Sequence, residues 1–323
     1  MICLKKNGFT FIEILGVITV LALISVIILI VIDKNLKNSK EVLSSVQIEN
    51  IKSAASMWRT DNIELVPDTG YFILSLDDLI NSGYIDDVVD PNGDSNYDRS
   101  LALGIGINDI RIGSQDNLMA LNGYTKLDYI KSTGTQYIDL GYKAKTNTEV
   151  RLDIQFIKNE YTNLANQYNN IIGREVITDN NTFQINFGSA SSETNTIYYW
   201  LDKTYASGQA TIYCYNYIPI VTNTSTMIVK SGSATFQGVT IQVATKTADN
   251  VDNMVLLGSF NRTQNKIMAF NRYDAKVYGF QIYEGDKMIM NLVPYMKNNR
   301  AGLYDLVGNK FYLSDGSSDF LSS

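Results

Sequence analysis

The chain lacks histidine altogether, and it has only two cysteines and four prolines among its 323 residues. Without histidine, the Ser-His-Asp and Cys-His nucleophile systems and the usual histidine-based zinc sites are excluded. Basic residues are in the minority, because 27 Lys and Arg oppose 33 Asp and Glu for a formal charge of −6. Nonspecific binding of nucleic acid depends on basic surface. We therefore expect no nucleic-acid partner.

One long apolar run stands at the N-terminus. Residues 9–32 contain a single charged residue, Glu13, and they follow Lys5 and Lys6. At about 1.5 Å per residue, a helix of this length spans about 36 Å, enough for a hydrocarbon core of about 30 Å. The run is too long for an ordinary secretory signal and ends without a small-residue cleavage site. The two lysines predict a cytoplasmic leader and a C-terminus outside the cytoplasmic membrane.

The leader and the start of this run, residues 5–13 (KKNGFTFIE), resemble the N-terminal signal of type IV pilins and pseudopilins. The resemblance implies that a prepilin peptidase cuts between Gly8 and Phe9 and that the new Phe9 amine is methylated. It also implies that Glu13 pairs with the amine of a neighbouring subunit and so sets the filament register. A carboxylate within a membrane costs about 2.5–3.5 kcal/mol, so a partner for Glu13 is expected on physical grounds as well. The plain alternative is a membrane anchor with one acidic residue.

Removal of the leader would take Cys3 with it. Cys214 would then be the only cysteine, and no intrachain disulfide could form. Many pilins use such a disulfide to hold their C-terminal loop, so the chain departs from the family in this respect. We expect its stability to come from packing.

The helix is expected to continue beyond the apolar run, because residues 33–59 contain neither glycine nor proline. Its apolar residues recur at spacings of three and four, which predicts a helix with one apolar face ending near Asp61. These residues are Ile48, Ile51, Ala55 and Trp58. The segment resembles the outer half of the first helix of pilins, which a small sheet covers. An amphipathic stretch for another partner is the alternative.

Residues 61–122 resemble the small globular part of Gram-positive pilins. Within them, Ser75 and Gly83 predict the N-cap and the end of a short helix. The dipeptide that begins at Asp90 predicts a turn. Residues 101–112 alternate apolar residues with glycine and asparagine, which predicts one or two strands.

One loop in this region carries an oxygen-bearing side chain at every second position. Calcium prefers six to eight such ligands. The EF-hand pattern nevertheless fails, because Ser95 takes the place of its glycine and Leu101 that of its bidentate glutamate. A solvated turn is therefore the first interpretation, calcium is the alternative, and we expect no other cofactor. The residues concerned are Asp90, Asn92, Asp94, Asn96 and Asp98.

From residue 123 onward the chain alternates short β-rich runs with Gly, Asn, Ser and Thr, which predicts a β-sandwich. Residues 127–139 and 276–312 resemble the concanavalin-A-like (laminin-G-like) jelly roll of bacterial surface proteins. The expected fold class is α+β, with a long N-terminal transmembrane pilin helix, a small pilin-type region and an all-β jelly roll. The expected divisions are a leader (1–8), the long helix (9–60), the small region (61–122) and the sandwich (123–323).

Enzymatic activity is not expected of this sandwich. A retaining glycosidase needs two carboxylates about 5–5.5 Å apart. Glu149 and Asp153 would share one face of a strand but lie about 13 Å apart at about 3.3 Å per residue. Glu284 and Asp286 lie in a turn with no third acidic residue after them.

Aromatic residues crowd one stretch of the sandwich. Alternating tyrosines share one face of a strand, where they serve either as sheet packing or as a stacking platform for a sugar. The candidate platform consists of Trp200, Tyr213, Tyr215 and Tyr217.

We therefore expect a minor pilin or pseudopilin that displays an adhesive sandwich, binding carbohydrate or another surface ligand. Its expected partners are the prepilin peptidase, other pilin subunits and the membrane, and its expected destination is the cell surface. Two alternatives remain: a structural initiator or tip pilin whose sandwich binds only other pilins, and a competence or secretion pseudopilin.

Overall fold

A computed structural model describes most of the chain outside the N-terminal apolar run and several loops of the sandwich. The described residues are 11, 15–16, 18–19, 40, 43–91, 95–157, 170–175, 183–187, 196–201, 216–217, 224–261, 264–271 and 274–322. They belong to two compact units, Met1–Leu118 and Met119–Ser323.

The expected fold class, α+β with a long transmembrane pilin helix, is wrong. Strands predominate, and no helix among the described residues is long and apolar enough to cross a membrane. The longest described helical stretch, residues 43–61, is amphipathic, because Glu49, Lys52 and Arg59 interrupt its apolar positions. Most of the predicted span, residues 9–32, lies outside the described residues.

The first unit combines helices with a small antiparallel sheet. Its elements are helix α1 (residues 43–61), a 3-10 turn (Ile63–Leu65), β1 (Phe72–Ser75), α2 (Leu76–Asn81), β2 (Ala102–Ile105) and β3 (Ile110–Gly113). Helix α3 (Gln115–Leu121) contains the boundary with the second unit. The strand order is β1-β2-β3.

The predicted apolar face of α1 is confirmed at three of its four positions. Ile51, Ala55 and Trp58 are buried and belong to the same core cluster as the sheet residues Leu103 and Ile105. The helix ends at residue 61, as its sequence predicts. The apolar spacing alone was sufficient here, because one side of the helix meets a sheet and the other meets solvent.

The predicted cap of α2 is also confirmed. The backbone N–H of Asp78 donates to Ser75 Oγ at 3.1 Å, and the backbone N–H of Ser75 donates to Asp78 Oδ2 at 2.9 Å. This reciprocal pair is a capping box. Gly83 has a φ of +77° beyond the C-terminus of the helix, a conformation that glycine adopts without strain.

The second unit consists almost entirely of strands. In chain order they are β4 (Tyr124–Lys126), β5 (Ile130–Ser132), β6 (Ile138–Asp139), β7 (Thr148–Ile157), β8 (Asn170–Glu175), β9 (Phe183–Phe187), β10 (Thr196–Leu201), β11 (Asn216–Tyr217), β12 (Ser225–Lys230), β13 (Ser233–Phe236), β14 (Val239–Gln242), β15 (Val255–Leu256), β16 (Gly258–Asn261), β17 (Lys266–Ala269), β18 (Asp274–Glu284), β19 (Lys287–Lys297), β20 (Arg300–Asp305), β21 (Lys310–Tyr312) and β22 (Leu321–Ser322).

These strands form two sheets. Among the described residues, the eight-stranded sheet has the order β11-β10-β9-β8-β15-β6, with β16 beside β8 and β17 beside β16. The eleven-stranded sheet has the order β14-β13-β12-β7-β18-β19-β20-β21, with β4 beside β19 and β5 beside β18. The last strand, β22, pairs with β5 near the start of the unit. Pairing is antiparallel except between β16 and β8.

One hydrophobic core lies between the two sheets. Leu152 and Phe280 from the eleven-stranded sheet share it with Phe183 and Ile185 from the eight-stranded sheet. Strand β7 shows how the sequence builds it, because its buried and less buried residues alternate along the whole strand. Each sheet therefore has one face in the core and one face directed away from it, and these outward faces carry the candidate sites.

Candidate functional site

Amide side chains occupy the outward face of the eight-stranded sheet. In β9, Phe183 and Ile185 belong to the core, so the alternate residues Gln184 and Asn186 point to the other side. Gln184 Nε2 donates to Asn186 Oδ1 at 2.9 Å and to Asn170 Oδ1 at 2.6 Å. Asn170 Nδ2 in turn donates to Ser259 Oγ. We call these four residues, from strands β8, β9 and β16, the amide cluster.

The amide cluster is deeply placed. Gln184 is 2% exposed and Asn170 7% exposed, Ser259 is fully buried, and Asn186 alone is half-buried. None of the four side chains ionises in the ordinary pH range, so the cluster is a neutral array of donors and acceptors.

One atom of the cluster lacks a hydrogen-bond partner. Gln184 Oε1 is fully buried and accepts from none of the described residues. A buried acceptor left unpaired costs about 1–3 kcal/mol, and so a group of this kind in a folded protein calls for an explanation. The arrangement can therefore accept one further donor.

Strand β8 positions the cluster through an irregularity and a glycine. The register with β9 shifts between Asn170 and Ile172, so that both Ile171 and Ile172 enter the core while Asn170 bonds to Gln184. Gly173 has a φ of +125°, and a Cβ there would lie 2.4 Å from the Phe183 carbonyl oxygen. Only glycine fits this position.

Two residues of the predicted aromatic platform lie in strands of this sheet. In the backbone register, Trp200 is paired with Gln184 between β10 and β9, and Tyr217 is paired with Thr196 between β11 and β10. Their use as a stacking platform stays a prediction. Tyr213 and Tyr215 lie outside the described residues.

The outward face of the eleven-stranded sheet carries charged residues that pair with each other. Glu149 accepts from Arg151 Nε at 2.7 Å and lies 3.5 Å from Lys230 Nζ. Asp153 accepts from the Thr226 hydroxyl. The two carboxylates share the outward face of β7, and each has local partners there, which is the arrangement of structural surface pairs.

The other pair of acidic residues is also engaged in part. Glu284 accepts from Lys145 Nζ at 2.9 Å and from the Tyr142 hydroxyl at 3.2 Å. Burial, together with the nearby Glu284 carboxylate, raises the pKa of Tyr142 to about 12, although a hydrogen bond with Thr148 opposes the shift. Asp286 is exposed in the following turn.

The oxygen-rich loop forms a tight turn in the part that is described. Val89 and Asn96 form an antiparallel bridge, and the backbone N–H of Asp90 donates to the Ser95 carbonyl oxygen at 3.1 Å. The Asp98 carboxylate accepts from the Ser100 N–H at 2.9 Å, which lowers the pKa of Asp98. Asn92 and Asp94 lie outside the described residues. Within the described residues there is no group of three acidic or cysteine side chains placed to hold a metal ion, and calcium binding stays a prediction.

The processing signal lies beyond what the structure describes. Its residues are Lys5, Lys6, Gly8, Phe9 and Glu13, and their assignments stay predictions.

The sequence carried one overlooked signal for the amide cluster. Residues 183–187 alternate aromatic or aliphatic residues with uncharged amides, whereas the first three outward positions of β7 are the charged residues Glu149, Arg151 and Asp153. Asn170 and Ser259 gave no such signal, because their contacts depend on the register shift in β8 and on a partner 89 residues away.

Comparison of the chain with protein-family models, with curated proteins and with solved structures gives no match in any of the three.

Proposed function

We propose that this chain is a minor pilin or pseudopilin of a type IV pilus-like system whose sandwich binds neutral carbohydrate. The observation that carries the binding role is the amide cluster, in which Gln184 Oε1 has no partner among the described residues and Gln184 is paired with Trp200 in the backbone register. Aromatic rings stack on sugars, and a few polar groups fix the orientation of such ligands. The absence of charge in the cluster favours a neutral ligand over an anionic one.

The display role rests on the sequence of residues 5–13. In this proposal a prepilin peptidase cuts after Gly8, Phe9 is methylated, and Glu13 pairs with a neighbouring pilin subunit. The protein then leaves the cytoplasmic membrane for the cell surface. A sandwich of about 200 residues on every subunit would crowd a close-packed filament, so a low-copy subunit fits better than the major one.

A second candidate function is structural, as an initiator or tip pilin whose sandwich binds only other pilins. Exposed apolar side chains on α1 favour contact with other subunits, since Leu43 is 53% exposed and Val46, one turn further along, is 50% exposed. Surface apolar residues that cluster on one element are common at protein interfaces.

The processing part is tested by mass spectrometry of the N-terminus after expression with a prepilin peptidase. We expect the wild-type chain to begin at a methylated Phe9 and Gly8→Leu to keep its leader. Gly16→Leu is the matched control, since it makes the same change outside the cleavage site and should be processed. Normal processing of Gly8→Leu would remove the pilin assignment.

The binding part is tested on an array of neutral and anionic oligosaccharides. We expect saturable binding to neutral members only, and its loss in Trp200→Ala. Tyr283→Ala removes a ring from the opposite outward face and should bind as the wild type does. If the folded wild-type protein bound no oligosaccharide, the structural role would replace the carbohydrate role.

A further inference from the structure

Each of the two sheets contains a hydrogen-bonded pair of one glutamine and one asparagine, and the two pairs differ in their remaining partners. On the eleven-stranded sheet, Gln281 Nε2 donates to Asn291 Oδ1 at 3.3 Å, and Gln281 Oε1 accepts from the Tyr283 hydroxyl at 3.2 Å. On the eight-stranded sheet, Gln184 Nε2 donates to Asn186 Oδ1 in the same way, but Gln184 Oε1 has no donor within the described residues. A hydroxyl group completes the first pair, and the second pair lacks one.

In the structure, Gln184 Nε2 has two carbonyl oxygens as its partners, on Asn170 and Asn186, and Oε1 is left over. Turning over the Gln184 amide alone would set Oε1 against both oxygens, where no hydrogen lies between them. Turning over all three amides together would leave Gln184 Nε2 over and direct Asn186 Oδ1 outward. In both arrangements Gln184 and Asn186 keep one donor and one acceptor that the cluster does not use.

A donor lies beside this acceptor. Asn186 uses Oδ1 to accept from Gln184, and its Nδ2 group donates to none of the described residues. Asn186 is also the half-buried member of the cluster, so its Nδ2 marks the side from which a ligand would approach. Gln184 Oε1 and Asn186 Nδ2 thus form an acceptor and a donor on adjacent outward positions of β9.

From this geometry we infer that Gln184 and Asn186 determine specificity by binding a hydroxyl group of the carbohydrate, an inference that rests on the proposed function. A hydroxyl both donates and accepts, so one hydroxyl or two neighbouring ones satisfy Oε1 and Nδ2 together. A carboxylate or phosphate would face the unpaired oxygen, and an ammonium would face the Nδ2 hydrogens. The site therefore selects neutral sugars.

The test measures binding of the full chain to the neutral oligosaccharide that binds it most tightly and to its monodeoxy analogues. Asn186→Asp keeps the Oδ1 acceptor that Gln184 uses and replaces only the outward donor. Gln184→Met removes the acceptor with a side chain of similar length. Gln281→Met makes the same change on the opposite face and is the matched control. Thermal melting shows whether each variant is folded. If Gln184→Met does not fold, Asn186→Asp alone tests the inference.

We expect Asn186→Asp and Gln184→Met to weaken binding about tenfold or more, the effect of about one hydrogen bond, and Gln281→Met to leave it unchanged. One monodeoxy analogue should bind the wild-type protein about as weakly as the parent sugar binds the two cluster variants. Gln184→Met should bind this analogue and the parent sugar with the same affinity. If both cluster variants bound the parent sugar as the wild type does, this inference would fall while carbohydrate binding stood. Absence of binding by the wild type would overturn both.

Discussion

The two outward faces of the sandwich differ in how their polar side chains are satisfied. On the eleven-stranded sheet, charged and amide groups pair with neighbouring side chains at partly exposed positions. Glu149 pairs with Arg151 in this way, and Gln281 pairs with Tyr283. On the eight-stranded sheet, uncharged amides are buried, and Gln184 Oε1 has no donor among the residues that the structure describes. Polar groups that are paired and solvated need no ligand to explain them. A buried acceptor without a partner does, which is why the second face is the better candidate for binding.

The backbone differs between the faces as well, and this gives the largest expected effect. Gly173→Ala would force a Cβ to within 2.4 Å of the Phe183 carbonyl oxygen at a φ of +125°. We expect the free energy of unfolding to fall by about 3 kcal/mol or more, measured by urea denaturation. Gly279→Ala on the other face is the control, since the nearest atom to its Cβ is Asp153 Oδ2 at 3.4 Å. Equal losses in the two variants would contradict the assigned packing.

The charged pairing of the eleven-stranded face should contribute less. Glu149→Gln removes the carboxylate that Arg151 and Lys230 share, and we expect it to cost about 1 kcal/mol at low salt. The loss should shrink as salt is added, because the partner cations are partly exposed and are screened. Asp286→Asn, in an exposed turn, should change stability little. A loss that did not depend on salt would indicate packing in place of charge.

Tyr283→Phe sharpens the comparison directly, because it removes the hydroxyl that satisfies Gln281. Gln281 is only partly buried, so water can replace that hydroxyl, and we expect a loss of a few tenths of a kcal/mol, within about 0.5. The ring beneath Arg151, with its centroid 4.5 Å from the guanidinium carbon, should remain in place. Urea denaturation of Tyr283→Phe beside wild type measures the loss. A cost above about 1.5 kcal/mol would mean that water does not replace the Tyr283 hydroxyl at this acceptor.

The smallest of these expected effects is a loss of local stability in the C-terminal segment at acidic pH. Hydrogen bonds from Arg300, one of 2.7 Å, lower the pKa of Asp319 below its usual value near 3.8. A carboxyl whose pKa is lowered on folding stabilises the fold above its unfolded-state pKa, and this stabilisation is lost as the pH falls through the folded-state pKa. We expect the protection factors of the β22 amides against hydrogen exchange to fall below about pH 4 in the wild type, but to vary less with pH in Asp319→Asn. Ser317→Ala, an exposed neighbour, is the control and should follow the wild type.

The sequence was sufficient where structure depends on neighbours along the chain. The Ser75 cap, the apolar face of α1 and the alternation in β7 were all predictable, because capping and periodicity are local properties. The amide cluster was not predictable, because it joins three strands. It depends on the register shift in β8 and on a contact between two residues that are 89 positions apart in the sequence, Asn170 and Ser259. The platform residue Trp200 was selected for its aromatic surroundings, while its neighbour across the strands, Gln184, was overlooked.

The predicted fold class was wrong for a related reason. The apolar run of residues 9–32 dominated the expectation, and the predicted helix was extended from it across α1 as one element. Among the described residues α1 is an amphipathic helix whose apolar face packs on a small sheet, and the described fold is mainly strands. Apolar length predicts insertion into a membrane, but it does not predict the architecture of the residues that follow.

Gly173 has a consequence for how such a protein could change over evolutionary time. Because no other residue fits that position, mutation cannot reshape the backbone next to Gln184 by adding a side chain there. New ligand preferences would have to arise at Gln184 and Asn186, or at the aromatic positions across the neighbouring strands. Lineages that diverge in host or habitat should therefore vary at those few positions while the glycine stays fixed.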